Sequence, residues 1–428
     1  MPAPLRIGLA GLGTVGIGVI KIVQQHADMI AMRAGRPIMI TAISARDAKR
    51  DRGVDLSSFA WEDDPVALAR RDDIDVFIEV MGGHEGAAKD ATEAAIAAGK
   101  DVVSANKALL AHYGQPLAEA AEAAGRTIRF EAAVAGGIPI IKSLTEGLAG
   151  NAIRRVMGVM NGTCNYILTR MEDTGLPYDV VFEEARALGY LEADPNLDVG
   201  GIDASHKLTL LSAIAFGTQV SFGAVEMEGI GAISIDDIRR AADMGYRIKL
   251  LGVAQMTGRG LEQRMTPCLV PCDSPLGQLS GGTNMVVVEG DSVGQVVLRG
   301  AGAGQGPTAS AVMGDVIDLA RGIRTPAFGI PATALKVPVA ARSASPAAWY
   351  LRMRLVDKPG ALAKIATKLG EAGVSINRMR QYGHLEGDAP VLIVTHKATL
   401  DDIRTALEMF KATGVLVGDP VALRIEDV

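Results

Sequence analysis

The sequence predicts an α/β protein: a Rossmann-type doubly wound parallel sheet, a second α+β domain, and a C-terminal ferredoxin-like βαββαβ unit. Three observations carry this reading. The chain opens with a strand that runs into a glycine-spaced turn and a helix. Strand and helix patterns then alternate to about residue 140, and residues 348–428 follow the order strand, helix, strand, strand, helix, strand.

The opening is the most specific of the three. Leu5-Arg6-Ile7-Gly8-Leu9-Ala10 reads as a strand, Gly11-Leu12-Gly13-Thr14-Val15-Gly16 follows, and a helical pattern runs from about Thr14 to Ala34. Gly11 permits a tight turn, Gly13 lets the backbone approach a pyrophosphate, and Gly16 lets the helix pack close to the strand. The N–H groups of Thr14 and Val15 would face the phosphates at the helix N-terminus, where the dipole attracts anions. NAD or NADP binding is therefore expected. Pro37 to Ile43 gives the second strand, apolar as strands buried on both faces are. Ile74 to Val80, Asp101 to Ser104 and Thr127 to Glu131 give further strands, with helices at Ala87 to Ala98 and Ala108 to Ala124. Past the second strand, where NAD-binding folds place an acid against the ribose, stands Ser44-Ala45-Arg46-Asp47. Arg46 suits the extra phosphate of NADP, while Asp47 keeps NAD open.

Composition narrows the class. The 428 residues exceed one ordinary core and imply two or three domains. Aromatics are only 4%, so the cores are expected to rest on Ala, Val, Ile and Leu. With 43 basic and 49 acidic residues and a net charge of −6, no basic stripe is offered to nucleic acid. No apolar run is long enough to span a bilayer and no leader-like segment opens the chain, which reads as cytoplasmic. Cys164, Cys268 and Cys272 lack a second pair to complete a zinc site and read as reduced structural thiols.

We assign 1–140 to the dinucleotide-binding domain, completed by about 302–322, where Gly302-Ala303-Gly304-Gln305-Gly306-Pro307-Thr308 opens a helix. The stretch 141–301 is the substrate and dimerisation domain, 323–347 a Pro-rich linker, and 348–428 the terminal unit. In that unit Asp357-Lys358-Pro359-Gly360-Ala361-Leu362, with Ser375-Ile376-Asn377 after the helix, resembles an ACT domain. ACT domains typically pair with copies of themselves and bind an amino acid between them. The resemblance implies Asp357, Gly360, Ala361, Leu362 and Asn377 as effector residues.

Two segments carry the chemistry. Ser104-Ala105-Asn106-Lys107 ends a parallel strand, where open α/β sheets place ligands. The stretch from Gly189 to Lys207 is dense in acids: Glu192, Asp198 and Asp203 surround a Pro- and Gly-rich loop, and Asp203 and Lys207 share a helix face four residues apart. Such a concentration of charge is expensive unless something cationic or reactive binds there. Beside a nicotinamide, a lysine has an obvious role, because hydride added to a carbonyl leaves an alkoxide, which an ammonium stabilises and protonates.

The fingerprint, the Ser-Ala-Asn-Lys run, the Asn161-Gly162-Thr163 turn, the segment from Glu192 to Lys207 and the ACT-like unit together resemble homoserine dehydrogenase over essentially the whole chain. The resemblance implies reduction of L-aspartate 4-semialdehyde to L-homoserine with NADPH or NADH, in threonine, methionine and isoleucine biosynthesis, with feedback by an amino acid such as L-threonine. It implies Lys207 as proton donor and acceptor, and Lys107 as a second lysine touching substrate and nicotinamide. Glu192 and Asp203 are implied as substrate-binding, Asp198 as orienting the lysine, and Ser104 and Gly306 as cofactor-binding. A monovalent cation, usually sodium, is implied at Glu131, Val134, Gly136 and Ile138, through a carboxylate and backbone carbonyls. The family is usually dimeric or tetrameric. Ala193 departs from the pattern, since many relatives carry Pro there. Two other readings remain open to the sequence, an amino-acid sensor that has lost catalysis and a reductase of another semialdehyde or 2-oxo acid. The intact lysines and acids weigh against the first.

Overall fold

The computed structural model describes residues 2–191, 194–341, 344–382 and 388–428. The first sheet holds β1 (Leu5–Ala10), β2 (Ile38–Ser44), β3 (Ala60–Glu62), β4 (Val76–Glu79), β5 (Asp101–Ser104) and β6 (Ile128–Arg129) in the order β3-β2-β1-β4-β5-β6. All its pairings are parallel. The strand order reverses between β1 and β4, which opens a crevice at their C-terminal ends. Ile7, Leu9, Val76 and Ile78 are buried with the helix Gln305–Ala320, which returns late in the chain to this domain. That helix packs against Thr14–Ala34 at Gly18, where a Cβ would lie 2.7 Å from the Gln305 carbonyl oxygen and 2.8 Å from Ala309 Cβ. The short β3 and the helix Pro65–Arg70 lie in a polar stretch whose sequence pattern predicts neither.

The second sheet has ten strands: β7 (Ile153–Val159), β8 (Glu226–Met227), β9 (Tyr246–Thr257), β10 (Gly260–Pro271), β11 (Thr283–Gly290), β12 (Gly294–Ala301), β13 (Ala348–Val356), β14 (Ile376–Gln381), β15 (Asp388–Thr395) and β16 (Val421–Ile425). Nine follow the path β12-β11-β7-β9-β10-β16-β13-β15-β14, and β8 pairs with β10. The ferredoxin-like unit is therefore not separate. Its last strand pairs in parallel with β10, Cys268 opposite Arg424 and Leu269 opposite Ile425, and Glu426 N–H donates to the Leu269 carbonyl at 2.9 Å. Buried Arg264 donates to Glu262 at 2.9 Å and to Glu426 at 2.6 Å across the same seam.

The stretch expected as a linker is pinned rather than loose. Thr127 donates its hydroxyl to the Thr325 carbonyl at 2.7 Å, Glu122 accepts from Ala332 N–H at 2.9 Å, and Leu261 N–H donates to the Val339 carbonyl at 2.8 Å. Phe328 and Ala332 are buried along it. Among the described residues no helix is long and apolar enough to cross a membrane.

Candidate active site

A cleft of about 1000 Å³ opens at the C-terminal ends of β1, β4 and β5 and runs between the two sheets. Its nucleotide end is built by the glycine turn. Gly11 has φ +103°, and a Cβ there would lie 2.6 Å from the Val80 carbonyl oxygen. Gly13 has open space beside it. No side chain caps the helix that follows, and Thr14 and Val15 line the cleft. This is the open, donor-rich turn that a pyrophosphate needs. Arg46 is exposed just past β2, while the Asp47 carboxylate accepts from Lys49 N–H at 2.8 Å within its own turn. Arg52 donates to the Asp47 and Leu12 carbonyls, at 2.6 and 3.3 Å, and so braces the glycine turn. Gly302, Ala303, Gly304 and Thr308 line the cleft, and Gly306 lies one step into the following helix with open space beside it. Ser104 is buried and gives its hydroxyl to Glu79 at 2.8 Å.

The catalytic end rests on the helix Ile202–Phe216, which is buried from Asp203 through Ala213. On a helix buried all round, a charged side chain is costly unless it is paired. The Lys207 ammonium donates to the Met160 carbonyl at 2.8 Å and to Asp203 Oδ2 at 2.7 Å. Lys107, first residue of the helix Lys107–Ala123, brings its ammonium to 3.0 Å from Asp203 Oδ1. Asp203 thus bridges two lysines from different domains. Burial alone would push its carboxyl up, yet Lys207 and Lys107 hold it well below the usual carboxylate range.

Asn161 joins the remaining parts. It caps the helix Gly162–Thr174, accepting from Cys164 N–H at 2.8 Å, and its amide donates to Asp198 Oδ1 at 3.0 Å and Asp203 Oδ2 at 3.2 Å. Cys164 lies buried beneath, its thiol 3.3 Å from the Asp198 carbonyl. Glu192, expected among the substrate-binding residues, lies outside the described residues.

Sequence reasoning missed a stack of rings along one wall. His206 is buried and meets Phe222 at 4.5 Å and His112 at 5.6 Å between ring centroids; exposed His84 stacks on His112 at 4.4 Å. Burial, with His112 beside it, pushes His206 down to about 4. No local spacing links three histidines drawn from one loop and two helices.

The loop expected to hold a cation differs from the expectation in one respect. Both Glu131 carboxylate oxygens accept backbone N–H groups, from Ile141 and Lys142 at 2.8 Å each, so the carboxylate is engaged by the next helical turn. Burial, with Asp315 adding to it, pushes that carboxyl up to about 7. The backbone half of the set fits better. Ala135 and Gly136 are consecutive left-handed residues, a strained turn for alanine, and Gly136 presses against Gly302 of the cleft wall.

The expected effector residues do not converge within one chain. Val356, just before the Asp357–Leu362 turn, pairs with Asp388, whereas Ile376 of β14 pairs with Thr395 at the other end of β15. At ~3.3 Å per residue, Asn377 and the turn are on the order of 20 Å apart along the sheet.

Known proteins agree with this architecture. Residues 11–131 match the family model described as the homoserine dehydrogenase NAD binding domain, 139–317 the homoserine dehydrogenase model, and 349–412 the ACT domain. The chain is 42% identical to the homoserine dehydrogenase of Neisseria gonorrhoeae and 41% to that of Pseudomonas aeruginosa, with 99% of each chain covered in both cases. It superposes on the crystal structure of a homoserine dehydrogenase from Thiobacillus denitrificans with a TM-score of 0.93 at 40% identity, covering 99% of this chain and 98% of that one.

Proposed function

The chain belongs to the homoserine dehydrogenase family, and from that premise we propose how its own residues divide the work of interconverting L-aspartate 4-semialdehyde and L-homoserine. It is an NAD(P)-dependent oxidoreductase acting on a CH–OH group. One observation carries the division of labour: two lysines converge on one carboxylate inside the cleft that opens at the glycine turn.

The nicotinamide, when bound, supplies or takes up the hydride. Lys207 stabilises the alkoxide oxygen and gives it a proton in the reducing direction, and takes the proton back in the oxidising one. Lys107 touches substrate from the nucleotide side. Asp203 sets the spacing of the two ammonium groups and, with Glu192, receives the ammonium of the amino-acid substrate. Asp198 orients Lys207 at one remove, through the Asn161 amide that also reaches Asp203.

NADPH is the preferred cofactor: Arg46 is exposed where the extra phosphate would lie, and the neighbouring acid is occupied by its own turn. A sodium ion at the Glu131–Ile138 turn would be held by backbone carbonyls of Glu131, Val134, Gly136 and Ile138 and would stiffen the wall against Gly302. The enzyme is a cytoplasmic homodimer or homotetramer. L-Threonine acts at a site shared by two ACT units, with Asp357, Gly360, Ala361 and Leu362 from one and Asn377 from the other; their separation within one chain supports this sharing. Assay of purified protein with the semialdehyde and each reduced cofactor, with and without threonine, tests the reading. Equal use of NADH, or rates indifferent to threonine, would remove the corresponding part.

A further inference from the structure

Glu79 ends β4 with no exposed surface. A strand residue buried on both faces is ordinarily apolar, and burying a carboxylate is unfavourable unless donors satisfy it. Its surroundings supply those donors. Oε1 accepts from Met81 N–H at 2.8 Å, and Oε2 accepts from the Ser104 hydroxyl at 2.8 Å. Ser104 accepts in turn from Asn106 N–H at 3.0 Å, and the Asn106 amide donates to the Gly83 carbonyl at 2.6 Å. Ala105 N–H donates to the Glu79 carbonyl at 3.1 Å. The chain leaving β4 is thereby stitched to the chain leaving β5.

These two departures lie side by side in the lining of the cofactor end of the cleft. Val80, Met81 and Gly83 belong to one, and Ala105, Asn106 and Lys107 to the other. Asn106 also caps the helix that begins at Lys107, accepting from Leu109 N–H at 3.0 Å, so the direction in which Lys107 leaves the backbone follows from the same network. An apolar residue at the end of β4 would fill the same space but would leave the two turns joined only by the Ala105 N–H bond to the residue 79 carbonyl and the Asn106 bond to Gly83. A small shift of a reacting group is enough to lower turnover steeply.

We propose that Glu79 is a positioning residue: its carboxylate fastens the 80–83 turn to the neighbouring 104–107 turn, fixing this stretch of the cofactor-side lining and the aim of Lys107. It acts through Ser104 and Asn106 and touches no reacting atom.

Full-length Glu79→Gln, Ser104→Ala and the double variant test this, with wild-type turnover of the semialdehyde as the control that establishes the reaction independently. Glutamine keeps the shape and the Met81 contact but presents an amide to Ser104. Expected for Glu79→Gln is an unchanged melting temperature, a kcat lowered about tenfold or more, a weaker NADPH Kd, and a semialdehyde KM within about twofold of wild type. The double variant should be no worse than the poorer single variant, because both cut the same link. Wild-type kcat and NADPH affinity in Glu79→Gln, or losses that multiply in the double variant, would overturn the proposal. If Glu79→Gln does not fold, Ser104→Ala decides. A folded Ser104→Ala protein with wild-type kcat defeats the proposal, and one with the tenfold loss and unchanged melting supports it.

Discussion

Lys207 and Asp203 lie 2.7 Å apart on successive turns of one buried helix, and the carboxylate that Lys207 touches is the one Lys107 reaches from the other domain at 3.0 Å. Two ammonium groups at such range repel each other, and a single shared carboxylate offsets that repulsion while spanning the cleft. One side chain thereby joins the segment after β5 to the buried helix on the other side of the cleft.

On the proposed division of labour, removing the Lys207 ammonium would leave the alkoxide without its proton donor and the glycine turn untouched. Lys207→Ala should lower kcat by about 10²–10⁴-fold while NADPH binds as in wild type. Titration calorimetry with NADPH beside steady-state rates checks both halves. A variant with ordinary turnover would refute the role.

Asp203→Asn removes the bridge but keeps its shape. With two lysines left facing an amide, unfolding free energy should fall by about 3 kcal/mol. The folded carboxyl titrates below its unfolded value of about 3.9, so its contribution is complete above that pH and fades only as pH falls through the folded value. Urea melts of wild type and variant should therefore differ by a constant amount from about pH 8 to about pH 5. A difference that appeared only on the alkaline side would contradict the assignment.

His206 also loses its contribution as pH falls, but in a higher window. Its imidazole titrates near 4 in the folded protein and near 6.5 when unfolded, so the unfolded chain takes up a proton first as pH falls. Stability from the neutral ring is complete above about pH 6.5 and declines between there and about pH 4. His206→Phe, which keeps a ring against Phe222, should flatten that decline in urea melts. Parallel slopes for the two proteins would show that the ring is not responsible.

Arg46→Glu places a negative charge where the NADP phosphate is expected. NADPH KM should rise about tenfold or more, NADH KM should move little, and the effect should shrink with added salt. Steady-state kinetics with both cofactors at two ionic strengths would decide, and equal changes for NADPH and NADH would rule out Arg46 as the discriminating residue.

Cutting the chain near residue 345 removes β16 from β10 and takes Glu426 from buried Arg264. The truncated protein should melt well below the full chain or aggregate, because an unpaired strand edge and an under-compensated buried cation are both exposed at once. Light scattering and thermal unfolding check this. A soluble truncated enzyme with the full-length melting temperature would show the seam to be dispensable.

Local signals made much of this molecule readable. The Gly11-to-Gly16 spacing stated its own backbone requirement, and the terminal strand and helix order was complete within residues 348–428. What stayed hidden arises from contacts between distant segments. The pairing of Leu269 with Ile425 leaves no trace in either strand, since any apolar strand offers the same hydrogen bonds. Asn161 looked like a turn residue because a capping asparagine and a hub asparagine have the same neighbours in sequence. Glu79 stood out from neither side, because Ser104 and Met81 give a buried acid its purpose only once β4 and β5 are adjacent. The resemblance implies the Glu131 carboxylate among the ligands of a cation, and its hydrogen-bond partners, Ile141 and Lys142, lie just beyond the motif.

The Asp357–Leu362 turn and Asn377 stand at opposite ends of one sheet. On the proposed reading, a ligand that needs both would have to borrow one from a second polypeptide, and lesions in the two places would be complementary in trans. Co-expressed chains, one defective in the turn and the other at Asn377, would rebuild an intact composite in some of their mixed pairs, and sensitivity lost by each allele alone would partly return in the heterozygous population.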